Sequence, residues 1–117
     1  MCLISPPLQR SPLRQYEGGL VNTRMFIPHV CHDAIGVLAA VSVATACILP
    51  NSVAKGTAIL TCPETIGRGG NSFSVEHPTG ELTVQLDSHF ENGHLKIEKS
   101  GVMRTARLLS KGVVFIP

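Results

Sequence analysis

The chain has no tryptophan, one tyrosine and four phenylalanines, and only 15% of its 117 residues are charged. Few aromatics leave no platform on which single-stranded bases could stack. A formal net charge of +2, spread over ten basic and eight acidic residues, supplies no nucleic-acid-binding face. Pairs of the C-x-x-C type are absent among Cys2, Cys31, Cys47 and Cys62, and no second ligand cluster stands at a structural-zinc spacing. The first twenty residues contain Pro6, Pro7 and Pro12 and only short apolar runs, so they lack the continuous apolar segment of an export signal. Four reduced thiols in a cytoplasmic protein are therefore expected.

What is present is one domain's worth of apolar sequence, 44% hydrophobic. Residues 1–19 are expected to form an irregular lead-in, and residues 20–117 a single domain. Its organising stretch is Cys31-His32-Asp33 followed by sixteen residues without a charge, 34–49, which Pro50 stops. The pattern predicts a helix over 34–49 capped by Asp33, apolar on all faces and central to the fold. At ~1.5 Å per residue it is roughly 24 Å long, short of the ~30 Å that a membrane span needs.

Around this helix the sequence predicts strands. Residues 20–27 are rich in β-branched and apolar side chains and end at Pro28, and residues 57–62 form a short apolar run ended by Pro63. Residues 66–72, with Gly67, Gly69 and Gly70, lack the Lys-Ser/Thr ending of a phosphate loop and are expected to be a flexible hairpin loop. Phe73 and Val75, then Leu82, Val84 and Leu86, then Leu95 and Ile97 alternate with polar residues. Asn92-Gly93 marks a tight hairpin turn, Gly101 begins a further short strand, and residues 113–116 a last one. The expected architecture is α+β: an antiparallel β-sheet wrapped as a half-barrel around one central apolar helix.

Two places can carry chemistry. His29, Cys31, His32 and Asp33 stand where the helix begins, among free backbone N–H groups that favour an anion. His32 either contacts a substrate carboxylate there or packs against a strand. Cys31 is either a thiol activated by the helix dipole or an ordinary one. His77-Pro78-Thr79-Gly80 is either a turn or the rim of a site. Arg104 and Arg107 either face a carboxylate-rich ligand or pair with surface acids, and His89 and His94 flank a solvated hairpin.

Residues 31–46, His77-Pro78-Thr79-Gly80, and Arg104 to Leu109 followed by residues 112–117 together resemble, in this order, the second half of the PrpF family. These are isomerases of 2-methylaconitate, 4-oxalomesaconate and related small unsaturated di- and tricarboxylates, with a diaminopimelate-epimerase-like fold. The resemblance implies cis–trans or positional double-bond isomerisation by proton transfer, without a cofactor or metal, in a cleft between two similar domains. It places His32 on the family's substrate-facing histidine and makes Cys31, Asp33, His77, Thr79 and Arg104 substrate-binding candidates. The family's catalytic Lys and Cys belong to the first domain, and no position here matches them, so the catalytic residues stay unknown. Leu38 and Ala39 stand where many members carry Thr-Gly, and Ser42 where many carry Cys. On this reading the chain is a C-terminal portion, incomplete alone, whose partners are a small carboxylate and either an N-terminal domain or a second copy, with neither nucleic acid nor membrane. The alternatives are a stand-alone carboxylate-binding module and a non-functional truncated product.

Overall fold

The structure, a computed structural model, describes residues 1–8, 19–60 and 62–116, and among these residues the chain forms five strands and one α-helix. In chain order they are β1 (Cys2–Ser5), β2 (Val21–Met25), α1 (Val37–Ile48), β3 (Arg68–His77), β4 (Gly80–Glu91) and β5 (His94–Val102). Two short 3-10 turns, Val53–Gly56 and Pro63–Thr65, lie between α1 and β3. The strands form one sheet in the order β1-β2-β3-β4-β5.

The class is α+β, as expected, but the sheet is mixed rather than antiparallel. β1 with β2, β3 with β4 and β4 with β5 are antiparallel, whereas β2 and β3 run parallel through Val21↔Val75 and Asn22↔Glu76. A parallel pair needs a long crossover, and α1 with its flanking turns supplies it.

The long hairpin of β3 and β4 is the backbone of the sheet, pairing continuously from Arg68↔His89 to His77↔Gly80. The alternation read in the sequence decides its faces: Leu82, Val84, Leu86 and Ser88 are buried, while Glu81 and Gln85 are exposed. Asn92 and Gly93, both at positive φ (51° and 81°), make the β4–β5 turn where the sequence signal placed it.

Helix α1 lays one stripe on this sheet. Ala40, Ala44, Cys47 and Ile48 are buried there, with Ile35 just before the helix, against Leu20, Val21, Val75, Leu82, Val84 and Leu86. Two alanines in that stripe let helix and sheet backbones come close. The opposite face, including Leu38 and Ser42, is exposed, so within this chain the helix is buried on one side only. The three buried polar side chains among the described residues are each bonded. Thr23 Oγ1 donates to the Glu76 carbonyl (2.7 Å), Asn22 Oδ1 accepts from Arg24 (2.7 Å), and Ser88 Oγ accepts from the Gly67 amide (3.1 Å).

Other expectations are revised. The lead-in is not irregular throughout, because residues 2–5 add β1 to the sheet edge; residues 9–18 lie outside the described residues. The Glu76 carboxylate accepts from the Leu8 amide (2.8 Å) and the Gly19 amide (3.3 Å), tying both sides of that stretch to β3. Residues 57–60 form no strand: β2 already has β1 and β3 as neighbours, and Ile59 contributes a single backbone bond to Leu20 (2.9 Å). The rest of that predicted strand includes Thr61, outside the described residues.

The glycine-rich stretch is not a loop, since β3 begins at Arg68. Gly67 (φ 79°) turns the chain into it, directly against the Phe90 ring, where a Cβ has no room. The strand predicted from Gly101 is the end of β5. After Met103, whose amide bonds the Thr83 carbonyl (3.0 Å), the chain leaves the sheet, and residues 113–116 form no strand.

Candidate functional site

The two motifs singled out in the sequence meet at one end of the sheet. After β2 the chain doubles back: Phe26 and Cys31 form an isolated antiparallel bridge, and the His32 amide bonds the Met25 carbonyl (2.8 Å). That fold-back delivers Asp33 to the β3–β4 turn. There the Asp33 carbonyl accepts from the Thr79 amide (3.1 Å) and from Thr79 Oγ1 (2.7 Å), and His77 Nδ1 approaches it at 3.3 Å.

A carbonyl only accepts, so in its contact with Asp33 the His77 Nδ1 is the donor. Thr79 Oγ1, also 3.3 Å from Nδ1, spends its own proton on Asp33 and is left to accept from the ring.

Asp33 is therefore a corner post rather than a helix cap. Its carbonyl is committed to the β3–β4 turn, and α1 starts four residues later, at Val37, with Gly36 in extended conformation at the N-cap. No side chain caps this end and the first turn contains no acid. The helix opens with free N–H groups and the positive end of its dipole, a combination that attracts an anion. Exposed Asp33, His32 and Leu38 leave this corner accessible from solvent.

The candidates thus fall into three sets. Asp33, His77 and Thr79 are joined by direct hydrogen bonds. His32, exposed, and Cys31, half-buried, precede them in the same fold-back, with Cys31 Sγ against the His32 carbonyl (3.7 Å). Arg104 is exposed and joined to none of them by a recorded bond. It follows Met103, bonded at Thr83, and so leaves β5 at the end of the sheet that carries the β3–β4 turn. Among the described residues no three His, Cys, Asp or Glu side chains gather as a metal cluster, so His29, Cys31 and His32 are not drawn together as ligands. The four cysteines are free thiols. Among the described residues no helix is long and apolar enough to cross a membrane.

A shallow cavity of about 480 Å³ lies away from this corner, across the β3, β4 and β5 ladders. Asn71, Gln85, Asp87, Lys99 and Ser100 line it. None was singled out from sequence, because the glycines beside Asn71 read as a loop, and only the Asp87↔Lys99 register brings those two charges opposite each other.

The family described as "PrpF protein" matches the chain over residues 1–117, including the segment ahead of Leu20. The chain is similar to the 4-oxalomesaconate tautomerase of Pseudomonas putida, 49% identical over 116 residues. It is also similar to the (4E)-oxalomesaconate Delta-isomerase of a Novosphingobium species, 42% identical over 116 residues. Each alignment covers 99% of this chain but only 27% and 28% of those two proteins, so the chain spans about a quarter of the length of these relatives.

Proposed function

Because the chain belongs to the PrpF family, we propose that it forms one wall of a cleft in which a small unsaturated di- or tricarboxylate is isomerised by proton transfer. The relatives named for oxalomesaconate suggest a substrate of that kind. The observation that carries the reading is the bonding of the His77–Thr79 turn to the Asp33 carbonyl. It joins the segment that carries Cys31, His32 and Asp33 to the His77–Thr79 turn, and the helix that follows begins with no side-chain cap and no acid in its first turn.

In this reading the substrate carboxylates sit at the N-terminus of α1. Its N–H groups, His32 and the Thr79 rim hold them, and Arg104 approaches from the end of β5 as a counter-charge. Removing an allylic proton spreads negative charge over the conjugated carboxylates. Fixed donors aimed at that charge lower the barrier because they are already oriented. The proton itself needs an acid and a base on the substrate. The family's Lys and Cys have no match in this chain, so the rest of a family-length protein supplies them. The sheet and α1 then correspond to one half of a diaminopimelate-epimerase-like pair of domains, acting in the cytoplasm with its thiols reduced.

Thermal unfolding with millimolar cis-aconitate, a commercially available tricarboxylate, tests the wall. A ligand at about 100 times its Kd stabilises by ~2.7 kcal/mol, several degrees for a domain of this size. The expected result is a rise in Tm that is lost in His32→Ala, is reduced in Thr79→Val, and is not produced by acetate. A well-folded sample whose Tm ignores the tricarboxylate overturns the reading. An equal shift in wild type and His32→Ala moves the site elsewhere.

A further inference from the structure

The corner that joins Asp33 to His77 and Thr79 is assembled from two parts of the chain. Cys31, His32 and Asp33 arrive from the end of β2, and His77 and Thr79 from the end of β3. The parallel β2–β3 joint sets these parts against each other, and it is short. β3 and β4 pair along the whole of β3, whereas β2 and β3 pair through Val21↔Val75 and Asn22↔Glu76. Parallel pairing is also slightly the weaker kind per residue.

Glu76 reinforces the joint with all three of its oxygens. Its carbonyl accepts from Thr23 Oγ1 (2.7 Å), on a side chain only 1% exposed. Its Oε2 accepts from the Leu8 amide (2.8 Å), and its Oε1 from the Gly19 amide (3.3 Å), two residues before β2. A carboxylate holds such donors more strongly than a neutral acceptor does. The Leu20 amide adds a bond to the Ser74 carbonyl (2.7 Å). Gly19 shows how closely the two sides are fitted. It is buried, and a Cβ there would stand 2.6 Å from Glu76 Cγ and 2.8 Å from Oε1. A side chain at this position would push the carboxylate off the amide that it holds.

We infer that Glu76 is a positioning residue: by pinning Gly19 and Thr23 to β3, it keeps the Cys31–Asp33 segment in register with the His77–Thr79 turn. As a contribution to binding, this role rests on the proposed carboxylate site. As a pin it is read without any ligand, so the two fail separately.

Amide hydrogen exchange, resolved by NMR in the 117-residue chain, tests the pin. Glu76→Gln keeps the volume of the side chain but turns one acceptor into a donor, and Gly19→Ala drives the carboxylate aside. Each should speed exchange of the Leu20 and Thr79 amides, which bond across the joint and across the corner, at least about tenfold relative to the Val84 amide in central β4. Leu86→Ala, which weakens the core away from the joint, should not raise that ratio. In a Glu76→Ala background, Gly19→Ala should cost no further protection, because the side chain it displaces is gone. Equal acceleration at Leu20, Thr79 and Val84 overturns the inference, as does additivity of Gly19→Ala and Glu76→Ala. If the variants do not fold, the wild-type chain in sub-denaturing urea decides: Leu20 and Thr79 should open together and ahead of Val84, and separate openings overturn the pin. With cis-aconitate, the rise in Tm should shrink in Glu76→Gln, and a rise left intact overturns the role in binding. A wild-type chain that ignores cis-aconitate sinks the site and leaves the pin to be decided by exchange.

Discussion

The same kind of side chain meets opposite fates in two regions of this molecule. Val21, Val75 and Val84 have no exposed surface, whereas Val113 and Val114 keep more than four-fifths of theirs. Hydrophobicity is equal; what differs is the opposing layer. In the sheet, alternation puts each valine against α1, and the small Ala40 and Ala44 let the layers close. Beyond Met103 no element among the described residues stands opposite. A β-branched run is a request for two neighbours, and burial depends on whether the chain contains them.

The sharpest way to break this contrast is to cut each region once. Leu86 is 1% exposed in the middle of β4, and Leu86→Ala should cost about 2–5 kcal/mol by removing apolar contact and leaving a cavity. Val114→Asp, in the same isolated chain, should change stability by less than about 0.5 kcal/mol. Urea unfolding of the two variants checks both. A Val114→Asp loss comparable to that of Leu86→Ala would mean that the segment packs on its own sheet in solution.

The contrast also marks how far the sequence could be read. Period-two alternation located β4 and the faces of β3 and β5, because a sheet with one dry face imposes that pattern. Asn92-Gly93 located its turn for the same local reason. What escaped was set by partners. β1 is four residues whose strand character comes from pairing with β2, and β3 begins at Arg68 because β4 is long enough to pair with it. The parallel β2–β3 pair depends on where the crossover lands, which no local pattern records. At the site, the importance of Asp33 was legible but its task was not. Its residue type suggested a cap, whereas its backbone carbonyl, invisible to residue type, is what holds His77 and Thr79.

A second test uses a thiol on the buried side of the comparison. Cys47 has no exposed surface, and burial pushes its pKa from 9.0 up to about 11. Below pH 9 the thiol is protonated in both states and the full stability is present. Between about pH 9 and 11 the unfolded chain releases this proton while the folded chain retains it, so stability falls as pH rises through that window. A gap of about two pH units corresponds to roughly 2–3 kcal/mol. Burial also raises the Cys2 pKa, partly offset by the N-terminal ammonium, and acts in the same direction. The Cys47 share is the part of the alkaline loss that Cys47→Ala removes, measured by denaturant unfolding from pH 8 to 11. Cys62, exposed, should react with a thiol reagent in the folded chain, whereas Cys47 should react only as the chain opens.

The smallest effect is expected where order owes nothing to burial. Lys96 Nζ lies 3.0 Å from Glu91 Oε2 across the β4–β5 hairpin, with both side chains about half exposed. Water screens such a pair, and holding two long side chains together costs rotamer freedom, so Glu91→Gln should destabilise by no more than about 0.5 kcal/mol. Raising the salt concentration should erase even that difference. The turn is instead specified by backbone conformation, since Asn92 and Gly93 both adopt the positive φ that a tight hairpin needs. Gly93→Val, which forces a β-branched residue into that region, should therefore cost more than Glu91→Gln although it removes no contact. If thermal unfolding ranks the two variants the other way, the hairpin is held by its charges. The ordered end of the sheet would then differ from the exposed segment in ion pairing as well as in packing.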